Sequence, residues 1–324
     1  MIKVRNRSFI NTLSYRSLKS GKKRNIMAII AIALTTLLFT GLLTIGISMM
    51  DYVQQQTMRQ VGTTAHGGFK FLSQEQYEKV LGDPKLEDVS ANIFVGTAKN
   101  PQLKKQMTEV RWFEDDAARW SFCYPEEGRM PKEYKEIACG TAVLDALGIP
   151  HEIGSKIDLS FEVNGKLHQD TFTLCGFWET DPVVVANEIL LSEEYVKDVT
   201  PAPTVPITEQ ENPSHIAGYW NPYFFFSGQW DIEGQVEALM DRCGFDSTVD
   251  SGVNWAYQSS SVDLDTYIIV GGILLLIIFA GYLIIYNIFA ISVSRDIHFY
   301  IMALLSEALP YGCQGQPCRR SQME

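Results

Sequence analysis

Two stretches without a single charged residue decide what kind of chain this is. Residues 26–50 run for 25 positions of mostly Ile, Leu, Ala and Thr, and residues 267–291 form a second such run dominated by Ile and Leu. At about 1.5 Å of helical rise per residue, each is roughly 37 Å long, enough to cross a hydrocarbon layer of about 30 Å with some tilt. A core helix of a soluble protein rarely needs more than a dozen continuous apolar residues. The expected fold is therefore a membrane protein with two α-helical spans flanking one large α+β extracytoplasmic domain.

Orientation follows from the basic residues. Residues 1–25 carry Lys3, Arg5, Arg7, Arg16, Lys19, Lys22, Lys23 and Arg24 and no Asp or Glu. Asp51 opens the far side of the first span, and Arg295 follows the second. Basic flanks stay inside, which predicts cytoplasmic termini and residues 51–265 outside the membrane. The formal charge of −11 hides this asymmetry, because residues 51–265 hold 16 basic against 35 acidic side chains. An acidic outer domain offers no footprint for nucleic acid, and the basic leader suits anionic lipid headgroups. The first run is too long, and its leader too extended, for a cleaved signal peptide, and no Ala-x-Ala site follows it.

The parts are expected as a basic leader at 1–25, spans at 26–50 and 267–291, an outer domain at 51–265, and a cytoplasmic tail at 292–324. Phe9, Ile10, Leu13 and Ser17 sit at the spacing of an amphipathic surface helix, although a leader without defined structure fits equally well. Tyr52–Val61 reads as a helical extension of the first span, broken at Gly62. Ser73 and Gln76 form a capping-box pattern. Residues 90–95 and 108–113 read as strands. Thr141–Leu147 reads as a helix stopped by Gly148 and Pro150, and the strands at 156–163 and 169–177 are joined across Asn164-Gly165, a strong hairpin signal. Residues 200–222, with Pro201, Pro203, Pro206, Pro213 and Pro222, read as an exposed loop. Residues 230–243 read as a helix with Ile232, Val236, Leu239 and Met240 on one face.

Catalytic and cofactor signatures are missing. No G-x-x-x-x-G-K-[ST] phosphate cradle occurs, His151-Glu152 lacks the second histidine of a zinc protease, and there is no G-x-S-x-G elbow. No catalytic, cofactor-binding or metal-ligating residue is assigned. His66, His151, His168 and His215 read as surface residues, as do the acid pairs Asp115-Asp116 and Glu126-Glu127. The tryptophans fit ordinary core and an interfacial belt better than a ligand platform. Cys123, Cys139, Cys175 and Cys243 leave both one disulfide and free buried thiols open, and Cys313 and Cys318 are spaced unlike a zinc knuckle. Neither span holds an ionisable residue, so the two helices alone make no hydrophilic path.

The second span ends in GYLIIYNIFAISVSRDIHFY, residues 281–300. Together with the basic leader, the retained first span and the large outer domain, this resembles the FtsX-like permeases of ATP-binding-cassette (ABC) transporters, in particular the long Gram-positive type. Residues 136–178, EIACGTAVLDALGIPHEIGSKIDLSFEVNGKLHQDTFTLCGFW, look like the membrane-distal core of MacB-like permeases. The resemblance implies a subunit that is not itself an enzyme. It also implies ATP bound by a partner ATPase subunit, a second permease copy or half, and coupling contacts at Arg295, Asp296, Phe299 and Tyr300. Beyond Tyr300 the likeness stops, since Ile301 and Met302 stand where Gly and Leu are expected, and the resemblance implies a product truncated or frameshifted there, the alternative being a divergent two-span variant with a short genuine tail. A two-span sensor or accessory protein with a ligand-binding outer domain is the alternative reading, and a membrane-anchored hydrolase a weaker one.

Overall fold

The structure is a computed structural model and describes residues 11–12, 15–16, 19, 22–200, 202–212, 214–257 and 264–308. The expectations on Phe9, Ile10, Leu13, Ser17, Cys313 and Cys318 lie outside the described residues. The chain divides into two units, Met1–Ser48 with Asp263–Glu324, and Met49–Val262.

The described residues of the first unit are helical. Helix α1, Lys22–Val61, runs unbroken through the first apolar stretch and the polar residues beyond it, and Gly62, at φ +85°, ends it. At about 1.5 Å per residue its 40 residues reach roughly 60 Å. The last described helix, here called α7, spans Leu264–Ala308. Both carry a window long and apolar enough to cross a membrane. A Cβ on Gly281 of α7 would come within 2.9 Å of Thr35 Cγ2 on α1, so a side chain there would push the two helices apart.

The second unit is one mixed sheet of ten strands with short helices. Its strands are β1 (Gly67–Lys70), β2 (Leu86–Ala98), β3 (Thr108–Phe113), β4 (Glu127–Gly128), β5 (Glu136–Gly140), β6 (Lys156–Val163), β7 (Lys166–Trp178), β8 (Asn187–Leu191), β9 (Trp220–Phe226) and β10 (Asp250–Val253). Between them lie helices α2 (Gln74–Leu81), α3 (Asp115–Trp120), α4 (Thr141–Leu147), α5 (Glu193–Val199) and α6 (Ile232–Cys243). Six of the strands close on themselves. Pairing runs β2–β3–β8–β5–β7–β6, and β6 returns to β2 through Thr97↔Glu162 and Ala98↔Phe161. Closure removes sheet edges, and a ring this small is filled by its own side chains. Strand β6 shows how the sequence does it: Ile157, Leu159, Phe161 and Val163 alternate inward, while Lys156, Asp158, Ser160 and Glu162 alternate outward. Val110, Ile137, Leu159, Phe161, Phe172 and Ile189 are all fully buried in this core, completed by Val143 and Leu144 of α4 and Tyr195 and Val196 of α5.

Of the other four strands, two-residue β4 flanks β7, and β9, β1 and β10 extend the sheet from the first half of β2 into an open lobe. Its core joins Phe69, Phe224 and Phe226 to Val80 of α2 and to Ile232, Val236 and Leu239 of α6. Helix α2 has the capping box that Ser73 and Gln76 suggest. Strand β2 therefore serves both cores with one face: Val89 packs in the lobe and Val95 in the ring.

Three sequence readings need correcting. Residues 220–222 are not loop, because β9 begins at Trp220 and places Pro222 opposite Ala91 of β2. Proline brings no amide hydrogen, and it falls where β1 leaves the ladder: Gly67 and Gly68 pair with Phe224 and Tyr223, Phe71 turns to φ +58°, and only the bridge Leu72↔Trp220 resumes the contact. His66 is not a surface residue but is 3% exposed, its Nδ1 accepting the Phe226 amide at 3.1 Å and its ring set edge-on to Phe225 and Tyr257. Burial lowers its pKa, which keeps the imidazole neutral. Cys123, Cys139, Cys175 and Cys243 are all free and buried, which closes the disulfide alternative.

Candidate functional site

The face of β2 that is turned away from both cores carries Ser90, Asn92 and Phe94, and here polar groups replace the apolar pattern. Asn92 is fully buried and donates through Nδ2 to the Asn221 carbonyl at 3.2 Å. Its Oδ1 accepts from Arg111 Nη1 of β3 at 2.6 Å. Arg111 also donates through Nε to Glu109 Oε2 at 2.7 Å, and through Nη2 to the same oxygen. On the next strand, Glu188 Oε2 lies 3.4 Å from Arg111 Nε. Glu109 and Glu188 are register partners across the parallel β3–β8 pair. The sheet thus sets two carboxylates around one guanidinium, with side chains only 12%, 18% and 20% exposed for Glu109, Glu188 and Arg111.

This arrangement is one positive charge short. Two buried carboxylates sharing one cation titrate as a pair, and the one with the poorer hydrogen bonding keeps the proton. Glu109 takes two of the guanidinium donors, whereas Glu188 Oε2 is buried and has no hydrogen-bond partner among the described residues. Burial pushes the Glu188 carboxyl up to about 8; Arg111 opposes the rise and Glu109 adds to it. Burial pulls on Arg111 in the opposite sense, but Glu188 and Glu109 outweigh it and hold the guanidinium charged.

Beside the stripe lies a cleft of about 600 Å³, inside the range of small-molecule sites. Phe71, Phe94, Met107, Tyr223 and Val253 supply its apolar wall, and Glu109, Arg111 and Asn221 its polar one. The guanidinium lies 5.4 Å from the centre of the Phe94 ring. Phe71 is held in its unusual backbone conformation by its amide, which donates to Asn221 Oδ1 at 3.1 Å. Gly68 is needed for a different reason. A Cβ there would stand 2.9 Å from the Pro222 carbonyl and 3.0 Å from the Tyr223 ring, so only glycine lets β1 approach the ring that lines the cleft. Burial raises the Tyr223 phenol above its ordinary value, leaving it a neutral donor.

Arg295, Asp296, Phe299 and Tyr300, the coupling residues expected from sequence, fall on helix α7, but their side chains lie outside those described. Among the described residues, no cluster of His, Cys, Asp and Glu is arranged to hold a metal. The thiols are poor nucleophiles, with Cys175 pushed by burial up to about 12 and Cys123 and Cys139 raised as well. Sequence reasoning overlooked the stripe. Its one local trace was TEVRWF, where Glu109 and Arg111 stand on the same face of a short strand flanked by apolar residues. Glu188, the third member, comes from a distant strand that no local pattern links to it.

No family profile and no curated protein matches the chain. Among solved structures, a domain of a permease protein from Porphyromonas gingivalis is similar at 11% identity and a TM-score of 0.34, over 59% of this chain and 79% of that one. The periplasmic region of MacB from Actinobacillus actinomycetemcomitans is similar at 9% identity and a TM-score of 0.36, over 62% and 94%. The extracellular domain of the noncanonic ABC-type transporter YknZ from Gram-positive bacteria is similar at 10% identity and a TM-score of 0.36, over 58% and 99%. At this depth of likeness, function has to be argued from the chain's own residues.

Proposed function

We propose that this chain is a membrane-embedded permease subunit of an ABC transporter, which converts ATP hydrolysis by a separate ATPase subunit into movement of its extracytoplasmic domain. The observation that carries the reading is the continuity of α1. One helix of 40 residues includes the whole first apolar run and ends inside the outer domain's own sequence at Val61. Near that end Arg59 Nε meets Asp181 Oδ2 at 3.3 Å. In this reading α1 is the element that carries movement of the span into the domain that follows it in sequence. Helix α7 likewise continues to Ala308, past the apolar run ending at Ile291, and carries Arg295, Asp296, Phe299 and Tyr300 on that continuation. In this reading those four residues dock on the ATPase, and the outer domain expels a substrate or gates a partner.

The test is co-purification and ATPase stimulation with the ABC ATPase encoded beside the gene. Arg295→Glu combined with Asp296→Arg is expected to abolish stimulation while leaving the circular dichroism spectrum of the chain unchanged. Full stimulation by that double variant would remove these residues from the coupling role, and no association at all would remove the permease reading. The rival reading, a two-span ligand sensor, is favoured by the cleft beside Arg111. It predicts a response-regulator gene as neighbour and no ATPase association.

A further inference from the structure

The charge count around Arg111 points to an occupant for the cleft. Of the two carboxylates only Glu109 takes hydrogen bonds from Arg111, both on one oxygen, which offsets one charge with the other. Glu188 is then surplus. Glu188 stands behind the cleft wall, on a separate recess that Asp181 also lines, and acts on the cleft through Arg111. The other charged groups nearby do not fill the deficit, since Asp181 is already paired with Arg59 at 3.3 Å. Lys70 of β1 lines the cleft but lies 3.5 Å from Asp250 of β10, so that pair cancels. Tyr223 of β9 and Cys123 after α3 are both held neutral by burial. The site can restore balance in two ways: a proton on Glu188, or a cation brought in from outside. The cleft wall is built for the second, because Phe71, Phe94 and Tyr223 present aromatic groups beside Glu109, and aromatic faces attract cations.

We propose that this cleft is a binding site for an organic ammonium ion with an apolar body, and that the cation enters in exchange for the proton held by the Glu109–Glu188 pair. The step is a pure ion exchange. No bond to carbon changes, the ammonium nitrogen lies against the aromatic wall near Glu109, and the Glu188 proton leaves to solvent. The inference is independent of the permease reading, since the cleft is formed by the outer unit alone.

The experiment is isothermal titration of the full chain, in an uncharged maltoside detergent, with phenethyltrimethylammonium. The neutral control is the tertiary alcohol of the same shape, dimethyl phenethyl carbinol. Affinity for the cation is expected to rise about tenfold per pH unit from pH 6 until Glu188 has lost its proton near pH 8, and then to level off. Titration at pH 7 in two buffers of different ionisation enthalpy should show close to one proton released per cation bound. The alcohol should bind at least tenfold more weakly at pH 8. Glu188→Gln and Glu109→Gln each leave Arg111 with a single carboxylate, so both should bind weakly and without pH dependence. Cation binding that is flat with pH, equal binding of the alcohol, or no binding would overturn the proposal. The proton count on the unaltered chain decides the matter even where a variant fails to fold.

Discussion

The ring and the lobe of the second unit share strand β2 but are finished in different ways. The ring closes through β6 onto β2 at Thr97↔Glu162 and Ala98↔Phe161, and its core is sealed at Leu159, Phe161 and Phe172. The lobe stops at β10, a four-residue edge strand whose Asp250, Ser251 and Gly252 are exposed. Charged, short and glycine-bearing, such an edge resists pairing with another copy. The difference teaches where rigidity and function divide. The closed half supplies a fixed frame, the open half supplies Phe71 and Tyr223, and the charged stripe lies where β2 passes from one to the other.

The largest expected effect comes from breaking the frame. Phe161→Ala should cost about 3–5 kcal/mol in urea unfolding, and should reduce hydrogen-exchange protection in both halves because β2 belongs to both. Loss of protection in the ring alone would show that the lobe stands by itself. A second test uses pH. The folded pKa of Glu188, about 8, lies above its ordinary 4.5, so the folded protein holds a proton that the unfolded chain releases between these values. Its contribution is fully present below about pH 4.5 and is lost as pH rises through 8. This amounts to a few kcal/mol at about 1.4 kcal/mol per unit. The urea midpoint of the second unit should fall from pH 6 to pH 9, and the slope should flatten in Glu188→Gln.

Two smaller predictions sharpen the contrast. Gly165→Ala should cost about 1 kcal/mol, since Gly165 sits at φ +81° in the turn between β6 and β7, and its effect should register in the ring. Ser73→Ala removes the capping box of α2 and should also cost about 1 kcal/mol, with the loss of exchange protection confined to the lobe. Equal spreading of both effects would mean that the two halves unfold as one.

How much of this was legible depends on sequence distance. The helix at Thr141–Leu147, the turn at Asn164-Gly165 and the cap at Ser73 are local devices, and the structure has each of them where the residues suggest. Ring closure is not local: Phe161 meets Ala98, and Ile137 meets Leu191, across long connections that no periodicity encodes. Pro222 misled because proline usually ends a strand, and only the interruption at Phe71 makes room for it. The site was hidden for the same reason as the ring. Glu109 and Arg111 alternate as solvent-facing residues do, and only the parallel pairing with β8 reveals that Glu188 covers them.

A strand held in common also sets the fate of the domain as a unit of inheritance. Residues 86–98 give the lobe its border and the ring its closing stave. No cut on either side of them yields two fragments that each keep a finished core. A transposed or recombined gene must therefore carry the whole stretch from Gly67 to Val253, and a protease that nicks β2 disables both halves at once. The two parts travel, mature and are destroyed together, whatever separate tasks their surfaces perform.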